Sequence, residues 1–499
     1  MRKIVLYNPQ AERIYYKKGH PVLPLMAISS FLDREGGYDI KIYDYIEKEK
    51  AIDSAEGATL FGITSMTGYQ ISDGLSVAKI VKKKYPDVPL VWGGWHPSIF
   101  PEQTVQNKFV DIIVRGQGER TFTELVKALE SNADLSKIFG ITYKRDGKII
   151  ANPSRPFENV NNFPPLPYHL IDINSYAART RLGRRTIGYI TSQGCPFYCG
   201  FCAEQVIYKR RWSALAPDRV ASDMRNLVER YGIDSIIISD SNFFVDEKRV
   251  YEICERIKDL HIVWGQVNGR ADTLARYKKQ TWELMKESGL RYILTGAESG
   301  MEDVLDVIKK EAVIQDTFDF SEVAKRYDIR IQFSLMIGVP NPHRNYSIKD
   351  EFYGTLGLIY KLHKINRNNE FLLFVYAPYP GSPLYETAKQ LGFKEPAKFE
   401  EWAVFDLNLK HVPWVPNKYV RLTWDLSYYL FFISGNVNRT INNYPFVLRV
   451  SLKAIAVPFY IIALLRFKYK FFLLPFELWV IRSILRIKNI LQEIYRAYG

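Results

Sequence analysis

The sequence predicts two successive α/β domains followed by a helical C-terminal region. Three observations lead there. Short apolar runs alternate with helical patterns in two separate series, a Pro-rich stretch divides the two series, and the alternation stops near residue 395. At 499 residues the chain exceeds one ordinary hydrophobic core. Its 47% hydrophobic and 24% charged content excludes a disordered chain.

Residues 1–150 carry five strand candidates: "KIVLYN" (3–8), "DIKIYD" (39–44), "ATLFGITS" (58–65), "PLVWGG" (89–94) and "DIIVRG" (111–116). Several are too continuously apolar to alternate, which is how buried parallel strands read. Helical patterns at 23–34, 72–84 and 119–129 separate them, and Asp146-Gly147 in "KRDGKII" marks a closing hairpin. This is a doubly wound, Rossmann-like domain, whose ligands bind at the C-terminal strand ends. Small residues stand at three of those ends: Thr64-Ser65, Gly93-Gly94 and Gly116-Gln117-Gly118. Each alone reads as a turn; three in succession point to a bound ligand, because glycine admits close backbone approach. "GQGERT" falls short of a G-x-G-x-x-G dinucleotide fingerprint.

Residues 151–184 form the expected linker, with prolines at 153, 156, 164, 165 and 167 that resist helix and central strand alike. The second series, 185–395, offers six strands: 185–192, 234–240, 261–269, 291–299, 329–338 and 370–378. Helical stretches at 217–231, 247–258, 272–288 and 314–327 lie between them. Six units are too few for an eight-fold barrel, so a partial (βα)6 barrel is predicted, with reactive groups at its C-terminal strand ends.

The remaining region, 396–499, is read as helical. The formal net charge of the chain is +14, and residues 421–499 hold eleven Lys and Arg against three Asp and Glu. Within that tail "AIAVPFYIIALL" and "FFLLPFELWVI" flank Arg466, Lys468 and Lys470. Neither run reaches the roughly 20 residues of a spanning helix. The expectation is a helix lying peripherally in the membrane interface at the inner face, with a helical cap packed on the main domain as the alternative. No nucleic-acid motif accompanies the basic residues. "MRKIVLYNPQ" lacks a secretory pattern, and four cysteines with three crowded together are not a disulfide framework. A reducing cytoplasm is expected.

Those three cysteines, Cys195, Cys199 and Cys202 in "GCPFYCGFC", follow the first strand of the second series. Thiolates select zinc, copper or iron–sulfur centres. A zinc ribbon would show a second C-x2-C pair, and there is none. Cys254, mid-helix in "RVYEICERIKD", reads as a buried hydrophobe. A four-iron cluster on three cysteines leaves one iron open for chemistry.

This C-x3-C-x2-C spacing after the first strand of a six-fold series resembles the radical S-adenosylmethionine (SAM) superfamily. The likeness extends through "SDSNFFVD" (239–246), "NGRADTL" (268–274), "TGAESG" (295–300), "SLMIGVP" (334–340) and "APYPGSPLYE" (377–386), and resembles the class with an N-terminal cobalamin-binding domain. It covers residues 1–395 and leaves the tail unexplained.

The resemblance implies that Cys195, Cys199 and Cys202 hold a 4Fe–4S cluster whose open iron is chelated by SAM. It places Phe201 against the adenine and makes Asp240, Arg270 and Glu298 polar contacts of SAM. Helix capping is the alternative for Asp240, a structural ion pair for Arg270, and either for Glu298. The "PYPGSPLYE" run would shape the barrel mouth, or simply turn. Ser65, Gly93, Gly94 and Gly116–Gly118 resemble cobalamin contacts. The Asp-x-His-x-x-Gly signature of many cobalamin domains is absent: Asp44-Tyr45-Ile46 stands at the comparable place. Cobalamin would then lack a histidine below, or not bind. His96 in "GGWHP" is assigned to loop stabilisation.

The activity implied is that of a cobalamin-dependent radical SAM methyltransferase. It would work on an unactivated carbon of a hydrophobic or lipid substrate, with electrons from a ferredoxin or flavodoxin. The alternatives are an oxidative cyclase of tetrapyrrole or lipid type, which the class also contains, and a non-catalytic cobalamin or redox sensor. Multiple turnovers to 5′-deoxyadenosine separate an enzyme from a sensor.

Overall fold

The computed structural model describes residues 2–11, 22–343, 346–405, 412–435, 441, 445–472, 475–480 and 482–483. Its first sheet comprises β1 (Arg2–Asn8), β2 (Tyr38–Asp44), β3 (Leu60–Thr64), β4 (Leu90–Gly93), β5 (Ile112–Val114), β6 (Ile141–Arg145) and β7 (Lys148–Ala151), ordered β2-β1-β3-β4-β5-β6-β7. The first five strands are parallel, and β6 and β7 join antiparallel. A 2-1-3-4-5 order is that of a doubly wound domain, with ligands outside the carboxyl ends. Ile4 to Tyr7, Leu60, Phe61 and Leu90 are fully buried, which is why these strands read as continuous apolar runs. Asp146 and Gly147 both take positive φ, 52° and 74°, as the primed hairpin turn requires.

Ordered chain follows β7, with short 3-10 turns at Val160–Asn162 and Tyr168–Leu170 and a helical turn at Ile173–Tyr176. The Pro-rich stretch is thus extended and pinned. Arg155 Nε donates to Thr121 Oγ1 at 2.8 Å, and Tyr168 Oη donates to the Gly188 carbonyl at 3.0 Å.

The second series contributes β8 (Thr186–Tyr189), the short ribbon strands β9 (Ser192–Gly194) and β10 (Trp212–Ala214), then β11 (Ser235–Ile238), β12 (Val263–Gly269), β13 (Leu290–Glu298), β14 (Arg330–Ile337) and β15 (Glu370–Val375). Six of them form one sheet, β15-β14-β13-β12-β11-β8, as an incomplete barrel requires. Pro at the first turn and Gly232 at φ 62° bound the helix Pro217–Tyr231, which buries Val220, Ala221, Met224 and Leu227.

By contacts the chain divides into two units. The first is residues 1–269, 277–292 and 378–409; the second is residues 270–276, 293–377 and 410–499. The division falls inside β13.

Two sequence expectations are corrected. The single helix read over 272–288 is two, Ala271–Ala275 and Lys279–Glu287. Lys278 between them is extended, and Glu247 Oε1 accepts from Lys278 N and Thr281 Oγ1, so a carboxylate from another segment caps the second helix. In the tail, neither apolar run by itself has the length of a membrane span. The structure instead carries a 24-residue helix, Phe446–Tyr469, long and apolar enough, by length and composition, to cross a membrane. It runs through Pro458 and recruits "FVLRVSLK" upstream of the counted run. A proline removes about one hydrogen bond and kinks a helix without obliging it to end.

Candidate cofactor site at the strand ends and the cysteine loop

The cysteines lie on the loop between β9 and β10, which pair antiparallel with Gly194 opposite Trp212. This ribbon closes residues 195–211 into a loop, and Gly194 is what allows it. At φ +82° its side is so close to the Arg211 carbonyl that a Cβ would lie 2.1 Å away. Inside the loop Cys202 N donates to the Cys199 carbonyl at 3.1 Å. The "PYPGSPLYE" run braces it from outside: Leu384 N donates to the Gly200 carbonyl at 2.8 Å, and Gly381, φ +73°, sits against Val206.

All three cysteines are half-buried and none is in a disulfide. Burial pushes the Cys202 thiol up to about 12, so binding a metal centre there must displace a firmly held proton. Cys254 is fully buried in the helix Glu247–Ile257, its thiol also raised to about 12 by burial, and it stands apart as an inert core residue. No group of three or more His, Cys, Asp or Glu among the described residues is arranged to hold a single metal ion. Three thiols on one clamped loop are the soft donors that an iron–sulfur core takes.

A cavity of about 500 Å³ adjoins this loop. One wall is the carboxyl edge of the first sheet, with Thr64, Gly93, Gly94, Gly116, Gln117 and Gly118. The opposite wall is Gly188, Ser192, Gln193, Gly194, Glu204 and Tyr208. Gly94, at φ +94°, leaves no room for a side chain: a Cβ would stand 2.8 Å from the Ser65 carbonyl and Thr64 Oγ1. Gly94 is thus required by its packing on the end of β3, whereas at Gly116, φ +70°, a Cβ would meet nothing within 4 Å, and the edge there is open. Ser65 lies beneath that edge, fully buried, with its neighbours Thr64 and Met66 lining the cavity instead.

His96 is fully buried. Its Nδ1 is 2.9 Å from Thr67 Oγ1, and its ring packs against Phe100, Phe399 and Trp402. Desolvation lowers it to about 3, so it is a neutral loop support facing away from the cavity. Asp44 is likewise buried, accepting from Asn8 Nδ2 and Tyr45 N.

The other expected SAM contacts have structural partners. Asp240 is fully buried: Oδ1 accepts from Thr191 N, and Oδ2 accepts from Thr191 Oγ1 and Ser192 Oγ, all at 2.6 Å. Burial raises its carboxyl, opposed by the nearby Arg249 guanidinium and these donors. Arg249 in turn donates Nη2 to Thr191 Oγ1 at 2.9 Å and Nε to the Leu215 carbonyl at 2.9 Å, so the pair clamps the base of the ribbon. Arg270 Nε donates to Asp272 Oδ1 at 3.0 Å, and its Nη2 to the Lys310 carbonyl. Glu298, at φ 62°, ends β13 with Oε1 2.8 Å from Lys310 Nζ, both side chains 9% exposed. Its carboxylate folds over Gly296, where a Cβ would lie 1.8 Å from Oε1. Phe201 is half-buried in the cysteine loop.

Against known families, residues 189–346 match the radical SAM superfamily model and residues 14–126 the B12 binding domain model. An uncharacterized methyltransferase of Pyrococcus horikoshii is 32% identical over 426 residues, 82% of this chain and 88% of that protein. The chain belongs to the radical SAM superfamily. It is a radical SAM enzyme with a B12-binding domain ahead of its radical SAM domain, and its cofactors are SAM, a 4Fe–4S cluster and cobalamin. The anaerobic magnesium-protoporphyrin IX monomethyl ester cyclase of Rubrivivax gelatinosus is 27% identical, over 69% of this chain and 60% of that protein. The fold is that of the cobalamin-dependent SAM radical enzyme OxsB solved with aqua-cobalamin and SAM: TM-score 0.70, 16% identity, 98% of this chain and 75% of that one.

Sequence reasoning passed over Gln193, Glu204 and Tyr208, all on the cavity wall. Their signal was proximity: each lies within six residues of a motif cysteine. Half-buried Glu204 accepts from Ser241 Oγ through Oε1, and desolvation raises its carboxyl.

Proposed function

We propose that this radical SAM enzyme is a cobalamin-dependent methyltransferase acting on an unactivated carbon of a hydrophobic substrate. The observation that carries the proposal is the single cavity whose one wall is the glycine edge of the first sheet and whose other wall is the cysteine ribbon. Cysteine thiolates 195, 199 and 202 would hold the cluster. When bound, the cluster and cobalamin supply electron transfer to SAM and methyl transfer, respectively. The chain's own residues do the remaining work. The β9–β10 ribbon and Leu384 hold the cysteine loop in shape. The backbone of Gly93, Gly94 and Gly116–Gly118 admits the corrin closely, with Ser65 buried beneath that edge. Apolar Leu6, Ile28, Val91 and Trp95 keep water from the cavity. Phe201, Asp240, Arg270 and Glu298 are kept as proposed SAM contacts, the last three requiring ligand-induced release of their present partners. The domain limits proposed are 1–150, 151–184, 185–395 and 396–499.

The test is anaerobic reconstitution with iron, sulfide, cobalamin and SAM, offering extracted lipids and tetrapyrroles. Methylation adds one methylene to the product mass and yields S-adenosylhomocysteine beside 5′-deoxyadenosine. Loss of hydrogens without S-adenosylhomocysteine would replace this reading with the cyclase one, which the similarity to the Rubrivivax cyclase favours.

The substrate's delivery and the electron source belong to the same proposal. A reduced flavodoxin or ferredoxin is the electron donor. The tail makes peripheral contact with an anionic membrane through the helix Phe446–Tyr469. Its most apolar stretch is only 6% buried, with Val450, Val457 and Ile461 exposed and Lys453 and Lys468 beside them. Ile455→Glu with Ile461→Glu should abolish cosedimentation with phosphatidylserine vesicles. Undiminished cosedimentation would refute the membrane contact.

A further inference from the structure

Gln193 is the third-from-last residue before the Pro-Phe-Tyr turn of the cysteine loop, two positions ahead of Cys195. Its side-chain amide is used at both ends. Oε1 accepts from Gln117 Nε2 at 2.8 Å, and Nε2 donates to Glu119 Oε1 at 2.7 Å. Gln117 is itself locked by the linker: its Oε1 accepts from Glu158 N at 2.7 Å and its Nε2 also donates to the Glu158 carbonyl at 3.2 Å. Glu119 is 4% exposed and opens the helix Glu119–Ser131.

Gln117 and Glu119 flank Gly118 on the glycine edge of the cavity, and Gln193 stands on the ribbon strand that feeds the cysteines. One amide plane thus spans the two walls. An amide engaged through both oxygen and nitrogen has one orientation and cannot flip without losing both bonds. Two side-chain hydrogen bonds are a small part of the stability of a chain this size, so their value lies in geometry. Displacement of reacting groups by about 1 Å can cost two orders of magnitude in rate.

We propose that Gln193, held between Gln117 and Glu119, is a positioning residue that sets the distance and orientation between the cluster-bearing cysteine loop and the corrin-bearing glycine edge. The inference rests on the two-cofactor reading above and names the part of the chain that keeps the two cofactors in register.

The test uses the full-length enzyme carrying its cluster and cob(II)alamin. Gln193→Leu keeps the volume and removes both bonds. Pulsed electron–electron resonance reads the distance distribution between the reduced cluster and cob(II)alamin, with iron content, cobalamin content and SAM affinity measured alongside. The variant should retain both cofactors, broaden or shift the distribution, and lower the ratio of S-adenosylhomocysteine to 5′-deoxyadenosine about ten-fold. The paired substitution Glu119→Gln with Gln193→Glu exchanges donor and acceptor and should restore both readouts. A fully loaded Gln193→Leu enzyme with the wild-type distribution and ratio would overturn the proposal. If that variant loses its cluster, Gln117→Leu, on the opposite wall, is read in the same way with the same two outcomes. Wild-type enzyme that takes up no cobalamin would instead overturn the two-cofactor reading.

Discussion

Replacing Asp240 by Asn separates two roles for one buried carboxylate. In the structure its two oxygens accept three hydrogen bonds at 2.6 Å from Thr191 and Ser192, and the buried Arg249 is its neighbouring cation. Asparagine keeps the shape, turns one acceptor into a donor facing two hydroxyls, and removes the charge opposite Arg249. Hydrogen bonds to charged groups contribute roughly 1.5–3 kcal/mol each. Losing the charge weakens all three and sets an amide donor against two hydroxyls, so the expected loss is about 3–4 kcal/mol, local to the base of the ribbon. At about 1.4 kcal/mol per decade, amides of residues 189–194 should exchange with solvent deuterium roughly 100–1,000 times faster in Asp240→Asn. Hydrogen exchange with mass spectrometry on the anaerobic protein measures this directly. Unchanged protection together with weakened SAM binding would refute the clamp. Asp240 would then be a ligand contact that gives up these partners when SAM arrives.

Three further outcomes are expected. Lys310→Met strands the Glu298 carboxylate in a site 9% exposed. It should cost about 3–5 kcal/mol, read as a fall in melting temperature, and adding Glu298→Gln should recover most of it. His96 sits at about 3 in the folded protein against 6.5 when unfolded, so the unfolded chain binds the extra proton. Stability is therefore full above pH 6.5 and is lost as pH falls towards 3, by at most about 4–5 kcal/mol. Urea titrations of wild type and His96→Phe across that window should show the variant's slope reduced by up to one proton. Cys199→Ala should lose the four-iron cluster in iron analysis and absorbance, while Cys254→Ala should keep it, because Cys254 is a fully buried helix residue.

Much of the architecture was legible because it rests on burial. Strands enclosed on both faces, such as Ile4–Leu6 or Ile236–Ile238, read as continuous apolar runs, and the six strands of the second sheet begin and end within about three residues of where apolarity predicts. The cysteine motif was legible because ligand spacing along one loop is local chemistry. The split of residues 272–288 was not, since the Glu247 carboxylate that caps the second helix comes from another segment. Nor was the length of the tail helix, because the apolar run around Pro458 does not by itself decide whether a helix ends or continues there.

By itself, then, the sequence determined the two α/β series, the three thiols and the kind of metal centre they suit. These follow from periodicity and ligand chemistry within short windows. Only the tertiary structure decided that Ser65 lies under the glycine edge, that His96 is sealed among aromatic rings, and that Asp240 and Arg270 are engaged by neighbours. It alone showed Gln193 reaching across 76 positions to Gln117. Such pairings depend on which side chains the folded backbone brings within 3 Å, and no local pattern of residues encodes that.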